Sequence, residues 1–380
     1  MNTYKIITGD CIKGMQTLPD GCIHTCITSP PYFGLRDYLG GDEEIGSEDT
    51  VEEYVNNMVE VFREVKRILR DDGTLWLNLG DSYMSQKGVA PPPQTIGGQR
   101  GMPVSVVPGN RKDQKGLKHK DLIGIPWRVA FALQADGWWL RQDIIWNKPN
   151  PMPESVSDRC TKAHEYIFLL SKKSHYYFDH EAIKEDAVSS NVRPRVFGAT
   201  VQVGTNRKDA GNTPVDIGKR NKRSVWTVNT KGYKGAHFAV YPEKLIEPCV
   251  LAGTSGGGCC SKCGAPFVRV VEHGEVPCRT PREKNLNVIP GRNKLSEMNS
   301  KEMKVIPKET VGWKESCTCE DSNTTPCTVF DPFTGSGTTA VVTLKNGRNY
   351  IGTELNPDYV KIAEARIKES VPQNLEEIFE

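Results

Sequence analysis

The sequence places a hydroxyl, two prolines and an aromatic ring directly after an apolar, β-prone run. The run is Cys22–Ile27, and the stretch that follows Thr28 reads Ser29-Pro30-Pro31-Tyr32. Two consecutive prolines end a strand, because neither can donate a hydrogen bond to the ladder. Ligands of open α/β sheets collect at the carboxyl ends of the strands. We therefore expect a catalytic site at these four residues.

The groups of this stretch suit one reaction. An amine on an aromatic base, such as N4 of cytosine or N6 of adenine, is a poor nucleophile because its lone pair is delocalised into the ring. Acceptors on its two N–H bonds, such as the Ser29 hydroxyl and the Pro30 carbonyl, would localise that lone pair. Tyr32 could stack on a base that has left the helix. A Pro-Pro turn that only redirects the chain would leave the same pattern.

A second candidate site lies in the glycine-rich turn Asp331–Thr339, which follows the strand end Val329-Phe330. The next predicted strand, Asn349–Thr353, ends at Glu354. This order, in which a strand, a glycine-rich turn and a helix precede a second strand that ends in an acidic residue, is the nucleoside-binding βαβ arrangement. The acidic residue binds both ribose hydroxyls. No lysine follows Gly337, so the turn is not a Walker loop.

The elements that position these two sites are predicted from hydrophobic spacing. The sequence indicates a strand at Tyr4–Thr8, a helix from a capping box at Thr50 to about Leu69, and a strand at Thr74–Leu79. Asp72-Gly73 is expected to end the helix. Successive strand–helix–strand units favour a parallel sheet.

The middle of the chain predicts one more helix and then an antiparallel closure. The helix runs from Asp121 to Ala135, and Trp138–Trp146 alternates as a strand does. Glu165–Leu170 and Tyr176–Phe178 are expected to form a hairpin that closes the sheet.

The two motifs together carry a family resemblance. Thr28–Tyr32 resembles the signature of amino-group DNA methyltransferases in the form typical of the cytosine-N4 branch, since adenine-N6 relatives usually carry Asp or Asn in place of Ser29. The turn from Asp331 to Gly337 resembles their S-adenosylmethionine loop. The catalytic stretch precedes this loop by about three hundred residues, which matches the permuted β class. The resemblance implies an α/β fold, a Rossmann-like methyltransferase sheet with helices on both faces.

The resemblance also implies the cofactor contacts. Under the resemblance Thr28 is a cofactor contact, Asp10 resembles the acidic residue near the adenine, and Phe238 and Pro242 are candidates for one wall of the methionine pocket. Asp10 would serve equally well as a helix cap, and Asp81 could line the base pocket or only mark a loop. The contacts expected in the glycine-rich turn and the next strand are Asp331, Pro332, Phe333, Gly335, Ser336, Gly337, Thr338 and Glu354.

Four cysteines in two close pairs predict a structural zinc site. The pairs are Cys260-x-x-Cys263 and Cys317-x-Cys319. Four thiolates are a common ligand set for structural zinc, although the long spacer departs from that of zinc ribbons. A set of unpaired thiols in a reducing compartment would also fit. Three further cysteines are candidate substitutes: Cys259, Cys278 and Cys327.

Two basic, polar regions are expected to hold double-stranded DNA. Residues 85–120 are interpreted as a flexible loop that orders on phosphates, and residues 181–224 fall where the resemblance puts the target-recognition region. No membrane partner is expected, because the sequence contains no long apolar run. A homodimer and a cognate restriction endonuclease both stay open, and the sequence decides neither.

The resemblance divides the chain into parts. The catalytic half spans 1–180, the recognition region 181–224, the cofactor-binding half 225–258 and 322–370, the cysteine-rich zinc insert 259–321, and the tail 371–380. The insert lies outside the core that the family shares.

Composition is typical of a soluble globular protein. The chain has 380 residues, of which 37% are hydrophobic and 25% charged. It contains no long apolar run and no signal-peptide pattern, so we expect a cytoplasmic protein. Twelve cysteines without an export signal indicate reduced thiols. A net charge of +2 says little about a nucleic-acid partner.

The favoured hypothesis is methyl transfer from S-adenosylmethionine to N4 of a flipped cytosine. Three alternatives remain: adenine N6 by the same mechanism, RNA as the substrate, and a non-catalytic zinc-containing nucleic-acid-binding protein. Cytosine-C5 methylation is disfavoured because no cysteine follows a convincing catalytic strand end. The zinc deaminase signature is absent from the sequence.

Overall fold

The computed structural model describes residues 2–34, 45–84, 116–186, 219–231, 240–272, 309–320, 323–371 and 376–377. Six of the predicted features lie wholly or largely outside these residues: the basic loop 85–120, the recognition region 181–224, the zinc insert 259–321, the tail 371–380, Phe238 and Cys278. Within the described residues, no helix is long and apolar enough to cross a membrane.

Helices and strands alternate along much of the described chain. The helices are α1 (Cys11–Gln16), α2 (Val51–Ile68), α3 (Ile125–Ala135), α4 (Glu243–Gly253), α5 (Thr338–Lys345) and α6 (Pro357–Ser370). The longer strands are β1 (Thr3–Thr8), β2 (Ile23–Thr28), β3 (Leu69–Leu79), β4 (Trp139–Asn147), β5 (His164–Ser171), β10 (Val268–Glu272), β11 (Glu309–Lys314), β13 (Thr328–Asp331) and β14 (Asn349–Glu354). The short strands are β6 (Glu185–Asp186), β7 (Lys219–Arg220), β8 (Val225–Thr227), β9 (Cys259–Cys260), β12 (Thr324–Thr325) and β15 (Glu376–Glu377).

A nine-stranded sheet forms the centre of the fold, in the order β15-β1-β14-β13-β2-β3-β5-β4-β8. Neighbours from β15 to β3 are parallel, as predicted. β5 is antiparallel to both β3 and β4, whereas β8 is parallel to β4. An antiparallel closure is therefore present, as expected, but β4 and β5 form it, because this hairpin returns the chain to the edge of β3.

The segment Tyr176–Phe178, which was predicted to form a hairpin with Glu165–Leu170, is not a strand. Its side chains instead pack against the sheet. Phe178 stacks on Trp76 of β3 with their ring centroids 6.2 Å apart. Tyr176 and Phe178 thus pack on the face of the sheet that carries Trp76 and α4.

Helices cover both faces of the sheet, as expected. Alternate residues of a strand point to opposite faces. Cys26 and Leu75 pack in one apolar cluster with α2 and α3, whereas Ile27 and Trp76 pack in another with α4. β2 is buried along its whole length, so the strand that leads to Ser29 is fixed from both sides.

Helix α2 begins at the predicted capping box but is not ended by Asp72-Gly73. Glu53 N donates to Thr50 Oγ1 over 3.1 Å, and Thr50 N donates to Glu53 Oε2 over 3.0 Å. Strand β3 already begins at Leu69, which pairs with Ile23 of β2. Pairing in the sheet therefore ends the helix before the glycine is reached.

The order of the strands creates a crevice between β2 and β13. The chain leaves β2 through α2 toward β3, and it leaves β13 through α5 toward β14, on the other side. Such a switch point opens a crevice outside the carboxyl ends of the strands, where ligands of α/β proteins bind. The two strands end at Thr28 and Asp331, where the two predicted motifs begin.

Candidate active site and cysteine cluster

The two predicted motifs meet at the ends of β2 and β13. Thr28 Oγ1 donates to Asp331 Oδ1 over 2.7 Å, although 303 residues separate them in sequence. Ser29 follows Thr28 directly. Ser29, which is expected to bind an amine, is therefore one residue away from the contact with Asp331, where the predicted cofactor loop begins.

Asp331 organises the glycine-rich loop from inside the protein. Its side chain is 1% exposed, and burial raises the pKa of its carboxyl group. Besides Thr28, its donors are Phe333 N at 3.0 Å, Thr339 Oγ1 at 2.5 Å and Tyr241 OH at 3.4 Å. These hydrogen bonds tie Asp331 to the end of β2, to the loop and to the start of α5, which fits a role in shaping the loop.

Glu354 ends β14 beside the same loop. Its Oε2 accepts from Gly335 N at 2.7 Å and its Oε1 from Asn356 N at 3.0 Å, and burial raises the pKa of its carboxyl group. Gly9 N donates to Glu354 O. A Cβ added at Gly9 would meet no atom within 4 Å, and one at Gly335 would approach only Phe333 O, at 3.9 Å. Gly9 and Gly335 thus leave space next to Glu354, which fits the binding of a nucleoside cofactor.

Ser336 and Thr338 are held from the side of α6. Arg366 Nη1 lies 3.3 Å from Ser336 Oγ and 2.7 Å from Thr338 Oγ1. A Cβ added at Gly337 would lie 2.9 Å from Ala363 Cβ, so α6 packs directly against the loop. Arg366 thus fixes the side chains of Ser336 and Thr338 from the side of α6. Arg366 was not singled out in the sequence, because no local pattern marks it.

The other predicted loop residues lie at the crevice end of β13. Pro332 O accepts from Thr353 Oγ1 at 2.7 Å, which ties the loop to β14. Phe333 is half-buried and is the apolar side chain of the loop closest to Gly335 in sequence. Phe238 lies outside the described residues.

Two carboxylates after strand ends act as helix caps. Asp10 Oδ1 accepts from Lys13 N at 2.9 Å at the start of α1. Asp81 Oδ1 accepts from Ile125 N at 3.0 Å, so α3 begins at Ile125 and the predicted start at Asp121 is wrong. A place for Asp81 in the base pocket stays a prediction, because its role as a cap does not decide between the two alternatives. For Asp10, a contact to the adenine stays a prediction.

The catalytic stretch is fixed by the elements around it. Pro30 is buried, and Ser29 and Tyr32 are half-buried. Tyr54 OH of α2 donates to Pro31 O at 2.9 Å. A Cβ added at Gly80 would lie 2.5 Å from Tyr32 Cε2, so the Tyr32 ring rests directly on the backbone after β3.

A polar cluster lies behind Ser29 that the sequence did not assign. Tyr32 OH is 3.3 Å from Ser29 Oγ, 2.9 Å from Glu165 Oε2 and 3.2 Å from Asn78 Oδ1. Lys148 forms an ion pair with Glu165 Oε1. In the sequence, no pairing was predicted between the segments that carry Lys148 and Glu165, so no local signal brought these residues together.

The four predicted metal ligands come together. The Sγ atoms of Cys260, Cys263, Cys317 and Cys319 all lie within 4.8 Å of one another. A tetrahedral zinc with four thiolates needs Sγ atoms about 3.8 Å apart, so the cluster is close to the required size. Backbone N–H groups of Cys263 and Lys262 lower the pKa of Cys260 to about 6, which favours its thiolate.

Cys259 and Cys327, the described substitutes, belong to a different group, with His24. Thr328 N donates to His24 Nδ1 at 3.0 Å, and His24 Nε2 lies 2.9 Å from Gly264 O. Both ring nitrogens are therefore engaged by the backbone and are poorly placed to bind a metal. His24 instead links the turn after Cys260-x-x-Cys263 to the start of β13.

Comparison with known proteins gives one consistent family. A family model described as DNA methylase, of the N6/N4 type, matches residues 23–260 and 320–365. The type II methyltransferase M.Cfr9I of Citrobacter freundii is 39% identical over 369 residues, which cover 97% of this chain and 89% of that protein. M.SmaI of Serratia marcescens is 38% identical over 367 residues, 97% of this chain and 91% of that protein.

The fold also has a counterpart among solved structures. The PvuII DNA methyltransferase, a cytosine-N4-specific enzyme by its name, matches with a TM-score of 0.53 and 16% identity over 99% of this chain and 89% of that one. This likeness concerns the fold alone. The family model and the relatives span most of the chain, and both motifs lie within the matched residues. The chain therefore belongs to the N6/N4 DNA methylase family and is an S-adenosylmethionine-dependent DNA methyltransferase of the cytosine-N4 or adenine-N6 type.

Proposed function

We propose that the protein methylates N4 of a cytosine that has been flipped out of duplex DNA. The observation that carries this proposal is the position of Ser29, directly after the Thr28–Asp331 contact at the switch point. Serine at this position is typical of the cytosine-N4 branch. Adenine N6 remains the alternative, since both amines need the same acceptors.

The cofactor would be held by the loop after β13. S-adenosylmethionine, when bound, supplies the methyl group. Glu354 would accept from the ribose hydroxyls, and the space at Gly335 and Gly9 would let the backbone come close to the nucleoside. Phe333 offers an apolar surface, and Asp331 keeps the loop in shape from within.

The base would be held by the stretch after β2. Ser29 Oγ and the Pro30 carbonyl would accept the two N–H bonds of the amine, which keeps its lone pair on nitrogen. Tyr32 would stack on the flipped base. Because the amine attacks directly, positioning supplies much of the rate and no covalent enzyme intermediate forms.

The target base is tested by the methylated product. Duplex DNA of mixed sequence, incubated with the protein and labelled S-adenosylmethionine, should yield N4-methylcytosine on nucleoside mass spectrometry. N6-methyladenine as the only product would overturn the cytosine assignment while leaving the family and the cofactor unchanged. Single-stranded RNA of matched composition serves as the control substrate and should take up no label.

The names of the type II relatives support a proposal for the biological setting. We propose that the protein acts in the cytoplasm and protects sites from a cognate restriction endonuclease, as a monomer or a homodimer. Residues 85–120 and 181–224 would hold the DNA, with the second region reading the sequence. Residues 1–180 would form the catalytic half, and residues 225–258 and 322–370 the cofactor-binding half. Residues 259–321 would form the zinc insert, and residues 371–380 the tail.

We also propose that the four clustered thiols hold one structural zinc ion. The site is docked on the sheet, since Arg70 of β3 donates to Cys263 O at 2.6 Å and His24 of β2 lies against Gly264 O. The metal would thus fix the long insert to the strands that carry the active site.

The zinc proposal predicts about one zinc per chain in the purified protein, measured by plasma mass spectrometry. Cys260→Ser should lose the metal and lower the thermal midpoint of unfolding. The matched control is Cys160→Ser, because Cys160 is exposed and lies outside the cluster. A folded wild-type protein that contains no zinc would refute the site.

A further inference from the structure

The Tyr32 hydroxyl lies at the centre of a network that joins Ser29 to a buried ion pair. Its neighbours are Ser29 Oγ at 3.3 Å, Glu165 Oε2 at 2.9 Å and Asn78 Oδ1 at 3.2 Å. The side chains of Lys148 and Glu165, which form the pair, are each 16% exposed. The network thus connects the amine-binding serine with a charge that solvent screens only weakly.

The donors and acceptors in this network can be assigned from chemistry. Glu165, paired with Lys148, is a carboxylate and only accepts. Asn78 Nδ2 donates to Tyr166 O at 3.0 Å, and because a carbonyl only accepts, Asn78 must turn its oxygen toward Tyr32. The Tyr32 hydroxyl therefore faces two acceptors, and its one hydrogen points to them.

The direction of the Ser29 hydroxyl follows. Because the hydrogen of Tyr32 is used on Glu165 and Asn78, the Tyr32 oxygen can only accept from Ser29. Ser29 then donates to Tyr32 and keeps the lone pairs of Oγ free for an N–H of the base. The opposite orientation would aim the hydrogen of Ser29 at the amine nitrogen and compete for the lone pair that must attack.

We propose that Glu165 is a positioning residue that, through Tyr32, fixes Ser29 as a hydrogen-bond acceptor for the target amine. An Asp or Asn oxygen would accept without such help, whereas a serine hydroxyl can donate or accept and must be directed. The inference rests on the proposed role of Ser29 as an acceptor.

The surrounding structure holds this network in place. Glu165 pairs with Trp146 across the antiparallel β4–β5 ladder. Lys148 Nζ lies 4.2 Å from the centroid of the Trp146 ring, which restricts the lysine to the side of Glu165. The Tyr32 ring is supported by Gly80, where any side chain would collide with it. Each member is thus fixed by an element of the sheet.

The test is a double-mutant cycle with Glu165→Gln and Tyr32→Phe. In Glu165→Gln the amide oxygen stays with Lys148, so the amide NH₂ group faces Tyr32 and donates to its oxygen. This donor competes with Ser29 for the Tyr32 oxygen, which weakens the preference of Ser29 to donate even though Asn78 still accepts from Tyr32. We expect kcat to fall about 10- to 100-fold, with the affinities for S-adenosylmethionine and DNA unchanged. In the Tyr32→Phe background, which lacks the linking hydroxyl, Glu165→Gln should have no further effect. Glu64→Gln, at a glutamate paired with Arg67 on α2, is the matched control.

The outcomes distinguish a positioning role of Glu165 from a purely structural one. Equal losses of kcat from Glu165→Gln in both backgrounds would overturn the inference, as would loss of cofactor binding, which would indicate a structural role. Full activity of Ser29→Ala would instead refute the acceptor on which the proposed function depends. Ser29→Ala could lose activity while the effects of Glu165→Gln and Tyr32→Phe simply add. That result would retain the proposed function and reject only the role of Glu165.

Discussion

Ser29→Ala is expected to lower the rate of methyl transfer by about 10²- to 10³-fold, the usual effect of removing one preorganised hydrogen-bonding group from an active site. The affinity for S-adenosylmethionine should stay near that of the wild type. The physical reason is that Ser29 lies on the amine side of the crevice, whereas its neighbour Thr28 makes the contact to the cofactor loop. Single-turnover kinetics and calorimetric titration of the cofactor measure the two quantities.

The matched control for this variant is Ser370→Ala, at the end of α6 and outside the crevice. It should change neither the rate nor the affinity for the cofactor. If Ser29→Ala lost cofactor binding as strongly as methyl transfer, Ser29 would be a structural part of the loop and its role as an acceptor would be rejected.

Asp331→Asn is expected to weaken S-adenosylmethionine binding by at least about 10-fold and to lower the free energy of unfolding by about 2–3 kcal/mol. The carboxylate is buried and receives hydrogen bonds from Thr28, Phe333 and Thr339. An amide has one oxygen and an NH₂ group, so at least one donor around it would lose its acceptor. Calorimetric titration and chemical denaturation measure these effects.

Asp358→Asn is the matched control for this variant. The side chain of Asp358 is 80% exposed and pairs only at the surface with Lys361, so its stability effect should stay within about 0.5 kcal/mol. Wild-type cofactor affinity in Asp331→Asn would show that the loop holds its shape without the buried carboxylate, and would contradict the role assigned to it.

The local parts of the fold were predictable from the sequence because each depends on a few adjacent residues. The strand before Ser29 is marked by an apolar run and two prolines. Helix α2 is marked by its capping box at Thr50 and Glu53, and the cofactor loop by its glycines. The cysteine pairs were predictable for the same reason, since metal ligands need short spacings.

The parts that could not be predicted depend on contacts between distant segments. The hydrogen bond between Thr28 and Asp331 requires β13 to lie beside β2, and no local pattern encodes that order. The link from Tyr32 to Glu165 arises because β5 inserts between β3 and β4, whereas the predicted hairpin gave Glu165–Leu170 a different partner. The position of Asp81 as the cap of α3 likewise emerges only in three dimensions.

The central claim is that Ser29, Pro30 and Tyr32 hold a flipped base against the cofactor loop. A crystal structure with a non-reactive cofactor analogue and a duplex that carries the methylated site tests it most directly. We predict a cytosine outside the helix, its N4 within about 3.2 Å of Ser29 Oγ and of the Pro30 carbonyl, and its ring stacked on Tyr32. A base that stays in the helix, or an amine bound by neither acceptor, would contradict the account.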